Sequence, residues 1–401
     1  MENLSGKCII LGVSGGIAAY KMANTASALK KAGADVHVLM TKNAAQFITP
    51  ITFETLTGNK CLIDTFDRNF RYDVTHISLA KAADVILIAP ASADILAKMA
   101  NGIADDMLTT VVLAAKCKKI AAPSMNTAML ENPITQYNIE KLKQFGFGII
   151  EPAEGLLACR DSGKGKLPET EVLLDHIARE IACPKDLAGL RVTVTAGPTR
   201  EALDPVRYLT NHSSGKMGYA IARRAMLRGA EVTLISGQTA LPPVPFVRQV
   251  DVTSAKDMFE AVKEALPESD ILIKAAAVAD YRPVRIASEK IKKKDGELAL
   301  ALERTDDILA YCGTRRHPGL FLCGFSMETE NMLENSRKKL EKKGLDMIAA
   351  NNLKVAGAGF GVATNILTLI TKDGALELPL MSKDDAAGLL LDEILKRRAE
   401  A

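Results

Sequence analysis

Tryptophan is absent from this 401-residue chain, and aromatic residues make up only 4% of it. Surfaces that stack nucleobases need aromatic rings, so a nucleic-acid platform is a poor fit. A large excess of either charge is missing too. The chain has 51 Lys and Arg against 48 Asp and Glu, a net +3, which does not support nucleic-acid binding by bulk charge. No apolar run reaches the roughly 18 residues of a membrane span. The start, MENLSGKCIILGV, lacks a basic segment ahead of a cleavable apolar stretch. It reads as the first strand of a fold, and the chain as cytoplasmic. The seven cysteines form no CxxC pair and no Cys/His zinc spacing, which argues against a structural zinc and fits reduced thiols.

What is present is globular. Apolar residues are 48% and charged residues 25% of the chain, and its length calls for two or three domains. The first half alternates strand and helix. Apolar strands are expected at Cys8–Gly12, Asp35–Met40, Val85–Ala89, Ile120–Ala122 and Gly148–Glu151. Helices are expected at Gly15–Lys31, Ala93–Asn101, Met107–Ala115, Pro133–Gln144 and Pro168–Ile181. A linker follows at Cys183–Leu190. The pattern then restarts, with strands at Arg191–Ala196, Glu231–Ser236, Ile271–Ala276 and Met347–Ala350. Helices are expected at Lys216–Arg228, Asp257–Leu266, Asn331–Lys343 and Ser382–Arg398, and a hairpin at Lys372-Asp373-Gly374. The fold class is α/β: two doubly wound, mainly parallel-sheet, Rossmann-like domains in series, 1–183 and 184–401.

Ligands of such folds bind where strands hand over to helices. GVSGG, residues 12–16, is either a tight turn or a phosphate site at a helix start, with Gly15 and Gly16 allowing close approach. It is not G-x-G-x-x-G, and Met40-Thr41-Lys42 stands where NAD sites place an acidic residue. A mononucleotide such as FMN fits better, with Thr41 a hydroxyl donor to phosphate. Ser92 or Asp94 would cap the next helix. His76 could act in acid–base chemistry or bind a carboxylate. Asn126, in Pro-Ser-Met-Asn, could hold a carboxylate. Cys159, beside Arg160 in a glycine-rich segment, could deliver a proton from a thiol of lowered pKa.

In order, GGIAAYK (15–21), His76-Ile77, PASA (90–93), GIADDML (102–108), PSMNTAM (123–129) and ACRDSGKG (158–165) occur. Together they resemble the flavin-dependent cysteine decarboxylases, specifically the N-terminal half of the bifunctional phosphopantothenoylcysteine decarboxylase/phosphopantothenate–cysteine ligase family. The resemblance implies that FMN oxidises the substrate thiol to a thioaldehyde, which then drains electrons from the departing CO₂. It also implies that His76 and Asn126 orient the carboxylate and that Cys159 donates a proton. Gly15, Gly16, Thr41, Ser92 and Asp94 would contact the flavin. Asp94 stands where the family usually has Asn, and Arg160 where it often has Gly.

In the second half, the 19-residue connection from Gly197 to Gly215 is long for a strand-to-helix loop. Its polar residues converge on a helix start that suits an anion, although a surface insertion would read alike. Small residues at Ala275–Ala277 permit close approach of a base or sugar, and Asp280 could hold a ribose hydroxyl or a divalent ion. Lys290, Lys292 and Lys293 could neutralise a triphosphate. Lys339 and Lys343 are one helical turn apart and face the same way.

TAGPTREALDPVRYLTNHSSGKMGYAIA (195–222), AAAVADYRP (275–283), EKIKK (289–293) and GFSMETE (324–330) resemble the ligase half of the same family. The resemblance implies that CTP activates 4′-phosphopantothenate as an acyl-cytidylate, which the amine of cysteine then attacks. Asn211 would contact that intermediate and Lys290 would assist its conversion. Ala275, Ala276, Asp280, Lys290, Asp307, Phe325, Lys339 and Lys343 would bind the nucleotide, with Mg²⁺ at Asp280. Met327 stands where the family commonly has Ala. The expected partners are phosphopantothenoylcysteine, 4′-phosphopantothenate, cysteine and CTP, with no nucleic acid and no membrane. The family also implies a homo-oligomer, a dodecamer built from trimeric flavoprotein and dimeric ligase contacts. The alternatives are a nicotinamide-dependent dehydrogenase, and a ligase whose flavoprotein half is a non-catalytic scaffold.

Overall fold

Buried apolar strands organise the first half. β1 (Cys8–Val13), β2 (Asp35–Met40), β3 (Val85–Ala91), β4 (Lys118–Pro123) and β5 (Gly148–Ile149) pair in parallel in the order β2-β1-β3-β4-β5. Every residue of β3 is buried, as a strand covered on both faces requires. The period-2 alternation of side chains divides β1 between two cores. Ile9, Leu11 and Val13 join one core with the helix Met22–Lys31, while Ile10 joins the other with the helices Ala93–Ala100 and Met107–Ala114. The structure, a computed structural model, describes residues 2–66, 75–156, 161–292, 299–328, 332–352 and 361–400. It divides into Met1–Pro184 and Lys185–Ala401.

The second unit carries β6 (Arg191–Ala196), β7 (Glu231–Ser236), β8 (Arg248–Asp251), β9 (Ile271–Lys274), β10 (Phe321–Glu328), β11 (Met347–Asn352), β12 (Leu367–Ile370) and β13 (Ala375–Glu377). Their order is β8-β7-β6-β9-β10-β11-β12-β13, parallel through β11 and antiparallel beyond. The order of the parallel strands reverses between β6 and β9. The C-terminal helix Lys383–Glu400 packs against the helix Lys216–Leu227, burying Ala386, Leu390 and Ile394.

Several local expectations change. The segment after GVSGG begins as a 3₁₀ turn, Ile17–Lys21, before the α-helix starts at Met22. The glycine-rich segment near Cys159 contributes strands: Ala153–Leu156 pairs antiparallel with Ser162–Lys166. The long connection after β6 also folds on itself, pairing Arg200–Ala202 with Tyr208–Thr210. No helix among the described residues is long and apolar enough to cross a membrane.

Arg228, just past the end of the helix Lys216–Leu227, has a side chain only 7% exposed. Its Nε and Nη2 donate to Asp186 at 2.8 and 2.6 Å, and its Nη1 lies 2.7 Å from Asp392. Arg228→Ala would strand both carboxylates. The expected loss is about 2 kcal/mol, below the ~3–5 kcal/mol for a fully buried pair because both acids still touch water. The urea midpoint of the second unit reads it.

Candidate functional site

In the first unit the carboxyl ends of β1, β2, β3 and β4 deliver Gly15 and Gly16, Thr41, Ser92 and Asp94, and Asn126 to one edge of the sheet. The order β2-β1-β3 makes the β1/β3 boundary a switch point, where an open sheet leaves a crevice for a ligand. The boundary is tied together locally. The hydroxyl of Ser14 donates to Pro90 O at 2.7 Å and accepts from the Ser92 N–H at 2.9 Å. Ser92 Oγ caps the next helix, accepting from the Ile95 N–H at 3.3 Å, which settles the choice of cap. Asp94 lies in that helix's first turn, 3.6 Å from Lys98 Nζ. Thr41 Oγ1 accepts from the Ala44 N–H at 3.1 Å.

His76 lies at the start of the helix Thr75–Ala82, which leads back to β3. Asn126 caps the helix Thr127–Glu131, its Oδ1 accepting from the Ala128 N–H at 2.9 Å. The second strand of the neighbouring hairpin is pinned to this loop. The Met125 N–H donates to Gly165 O at 3.0 Å and Thr127 Oγ1 donates to Lys164 O at 2.8 Å. Cys159 and Arg160 lie outside the described residues, between the two hairpin strands.

In the second unit, a cavity of about 510 Å³ opens at the β6/β9 switch point. That volume suits a ligand of nucleotide size. One wall is Thr210–Gly218, leading into the helix Lys216–Leu227. Its N-cap Gly215 offers no side-chain cap, and uncapped helix N–H groups attract anions. The Asn211 amide donates to Ala277 O and Val278 O at 3.1 and 3.3 Å, holding that wall to the end of β9. Ala275, Ala276, Asp280, Phe325, Lys339 and Lys343 also line the cavity. Met327 lines it too, so the departure from Ala alters the cavity wall.

Asp307 reaches the site through Lys343, with Nζ 2.9 Å from Oδ2. It also borders an adjoining cavity of about 370 Å³ shared with Lys274 and Asp280. Burial alone would raise the Asp307 carboxyl, but the Lys343 ammonium and the Ala310 N–H hold it below the usual carboxylate range. Lys290 is not among the lining residues. Its segment is anchored by Asp204, which accepts from the Ile291 N–H at 3.0 Å and from Arg207 Nη2 at 2.6 Å. Against the upward push of burial, the Arg207 guanidinium and three backbone N–H groups depress the Asp204 carboxyl strongly. Lys293 lies outside the described residues.

Lys216, at the helix start where the sequence places an anion, lines the cavity, and two lysines not expected from sequence, Lys274 and Lys383, line it as well. Lys274 had a visible signal, being the one charge at the end of the buried run Ile271–Ile273. Its pKa falls to about 8, first through burial and then through the Lys343 ammonium, with Asp307 and Asp280 opposing. With Lys339 and Lys343, five lysines among the described residues face the cavity, and Asp280 is the one lining carboxylate among them. Such a field concentrates polyanions.

Two doubly wound units in one chain, each gathering its polar loops at the carboxyl edge of a sheet, define an α/β enzyme with two separate ligand sites. Comparison with known proteins narrows the class. The Flavoprotein family matches residues 1–182, and the family described as DNA/pantothenate metabolism flavoprotein C-terminal domain matches residues 187–397. The chain is 47% identical over 397 residues to Coenzyme A biosynthesis bifunctional protein CoaBC of Bacillus subtilis (strain 168), covering 98% of this chain and 97% of that protein. It is 42% identical over 401 residues to the protein of the same name in Escherichia coli (strain K12), covering 99% of each. The crystal structure of the C-terminal domain of a Coenzyme A biosynthesis bifunctional protein CoaBC is similar at 44% identity and a TM-score of 0.46, covering 54% of this chain and 98% of that one. The chain belongs to the family of coenzyme A biosynthesis bifunctional proteins, which join a decarboxylase and a ligase in one polypeptide.

Proposed function

We propose that residues 1–183 form the FMN-dependent phosphopantothenoylcysteine decarboxylase and residues 184–401 the CTP-dependent phosphopantothenate–cysteine ligase. The observation that carries the ligase reading is the lysine-lined cavity at the β6/β9 switch point. Asn211 and the small residues Ala275 and Ala276 hold the acyl-nucleotide against the strand ends, while Lys339 and Lys343 hold its phosphates. Lys290 approaches from the segment tethered by Asp204 and assists conversion of the acyl-cytidylate. Asp280 suits Mg²⁺, which commonly takes one or two carboxylates and completes its shell with substrate phosphates and water.

The flavin reading rests on the first unit's carboxyl edge. A Cβ on Gly15 would lie 2.5 Å from Asn43 Cβ, whereas one on Gly16 would meet nothing within 4 Å. The turn is therefore packed below and open above, a cradle for a phosphate-bearing ligand. Ser92 is tied to it through Ser14 and Thr41 through its N–H on Val13 O, and Asp94 is proposed to face the same ligand. When bound, FMN supplies the oxidation and re-reduction that make loss of CO₂ feasible. His76 and Asn126 orient the substrate carboxylate, and Cys159 delivers the proton that completes the product thiol. The scaffold alternative is not favoured, because bifunctional relatives match along the whole chain. The protein is further proposed to be cytoplasmic and to form a homo-oligomer, a dodecamer with trimeric flavoprotein contacts and dimeric ligase contacts.

The test is incubation of FMN-loaded protein with 4′-phosphopantothenate, CTP, Mg²⁺ and cysteine, followed by mass spectrometry. Appearance of 4′-phosphopantetheine together with CMP, pyrophosphate and CO₂ is expected. Accumulation of phosphopantothenoylcysteine with no decarboxylated product would leave only the ligase half of the proposal standing.

A further inference from the structure

The amino edge of the first sheet, opposite the proposed flavin site, carries a second cluster. Cys8, Asp35 and His37 present their Sγ, carboxylate and ring-nitrogen atoms within 4.8 Å of one another. We propose that these three side chains form a binding site for a thiophilic divalent cation of the zinc type, with solvent as fourth ligand.

Strand pairing assembles the donors. β1 and β2 run parallel with Cys8 beside Asp35 and Ile10 beside His37. Residues two apart on a strand share a face, so Asp35 and His37 project on the side where Cys8 lies. His37 Nε2 already stands 3.0 Å from Asp35 Oδ2. A thiolate, an imidazole and a carboxylate are the donor types zinc favours, and three protein ligands with one water make a common tetrahedral set. Zinc bonds of about 2.0–2.3 Å place neighbouring ligands roughly 3.5 Å apart. Small side-chain rotations of the partly exposed Asp35 and His37 close the remaining gap.

The surroundings orient the donors. Asn59 Nδ2 donates to Asp35 Oδ1 at 2.8 Å and to Val36 O at 2.9 Å, fixing the carboxylate and leaving Oδ2 turned toward His37. Asp84 is already engaged: its Oδ2 accepts the Cys8 N–H at 2.8 Å and its Oδ1 lies 3.3 Å from Lys7 Nζ. Such outer partners commonly change metal affinity by about 10–100-fold. The site would clip an interior strand to an edge strand, so its effect is on stability rather than turnover.

The probe is Co²⁺ titrated into the FMN-loaded full chain in excess Mg²⁺, which occupies oxygen-only sites. One cobalt per chain is expected, with a thiolate-to-cobalt charge-transfer band in the near ultraviolet that Zn²⁺ displaces. Cys8→Ser should abolish the band and His37→Ala should weaken binding at least tenfold. Asn59→Ala should weaken it by about 10–100-fold, and Cys183→Ser should leave it intact. Zn²⁺ should raise the thermal midpoint of the wild type but not of Cys8→Ser, with decarboxylation unchanged. The proposal is overturned if no thiolate band forms, or if the band survives in Cys8→Ser. Circular dichroism and flavin absorbance establish that each variant is folded.

Discussion

Gly165→Ala is expected to lower the turnover of decarboxylation by about a hundredfold or more while leaving CTP-dependent ligation at the wild-type rate. Gly165 has φ of +137°, a conformation that side-chain-bearing residues avoid at a cost of ~1–3 kcal/mol. A Cβ there would also lie 2.1 Å from Met125 O, and backbone cannot yield as a flexible side chain can. The hairpin strand Ser162–Lys166 would have to lift from the loop that carries Asn126, breaking the bond from the Met125 N–H to Gly165 O. Cys159, the proposed proton donor, falls in the sequence between the two hairpin strands, so lifting the second strand disturbs the segment that carries it. A misplacement of about 1 Å near the reacting atoms can cost ~10²-fold. Gly146→Ala is the control. Gly146 also has positive φ, +83°, but a Cβ there meets nothing within 4 Å. It should cost only the local strain and spare both activities. Wild-type decarboxylation by Gly165→Ala would remove the hairpin from the mechanism.

The buried parallel strands were readable because both faces are covered, so their apolar runs are nearly continuous. Arg191–Ala196 and Glu231–Ser236 are observed with the expected limits, and the helix Pro133–Gln144, opened by Pro at its first position, is as well. Other elements carry no such signal. β8, Arg-Gln-Val-Asp, is an edge strand with polar ends. β10 contains Gly324 amid a short apolar run, which gives it no clear strand signal in the sequence. The hairpin beside Asn126 is glycine-rich because its backbone approaches the loop closely, and that packing reason is invisible in one dimension. Spacing along the chain does not bring Cys8, Asp35 and His37 together either, for a related reason. Their proximity comes from strand register across a crossover, not from separation along the chain. In the second unit the motif residues line the cavity, but which ammonium is most strongly perturbed depends on burial and on neighbours far apart in sequence.

Lys274 is that ammonium, and its replacement by Met should move stability and nucleotide affinity in opposite directions. Its folded pKa of about 8 lies below the ordinary 10.5, chiefly through burial, with the Lys343 ammonium adding to the effect. The charged form is therefore disfavoured in the empty cavity. This destabilisation is fully present below about pH 8 and is relieved as pH rises toward the ordinary value, because over that interval the unfolded chain binds the extra proton. Lys274→Met removes it and should raise the thermal midpoint of the ligand-free protein near pH 7. A bound triphosphate has the reverse preference, since its charge favours the ammonium. Below about pH 8 the proton is already in place. Above it, binding must draw one from solution, so CTP affinity should fall with pH by up to about tenfold per unit. Calorimetry in buffers of different ionisation enthalpy should register that uptake. In Lys274→Met the uptake should vanish, the slope above pH 8 should flatten, and CTP affinity near pH 7 should drop by about tenfold or more. If the wild type binds CTP without proton uptake and Lys274→Met binds it equally well, Lys274 does not serve the nucleotide. If the wild type binds no CTP, the nucleotide reading of the cavity itself fails. A lysine that weakens the empty protein and tightens its complex is held at that position by its ligand, since packing alone would favour an apolar side chain at the end of a buried strand.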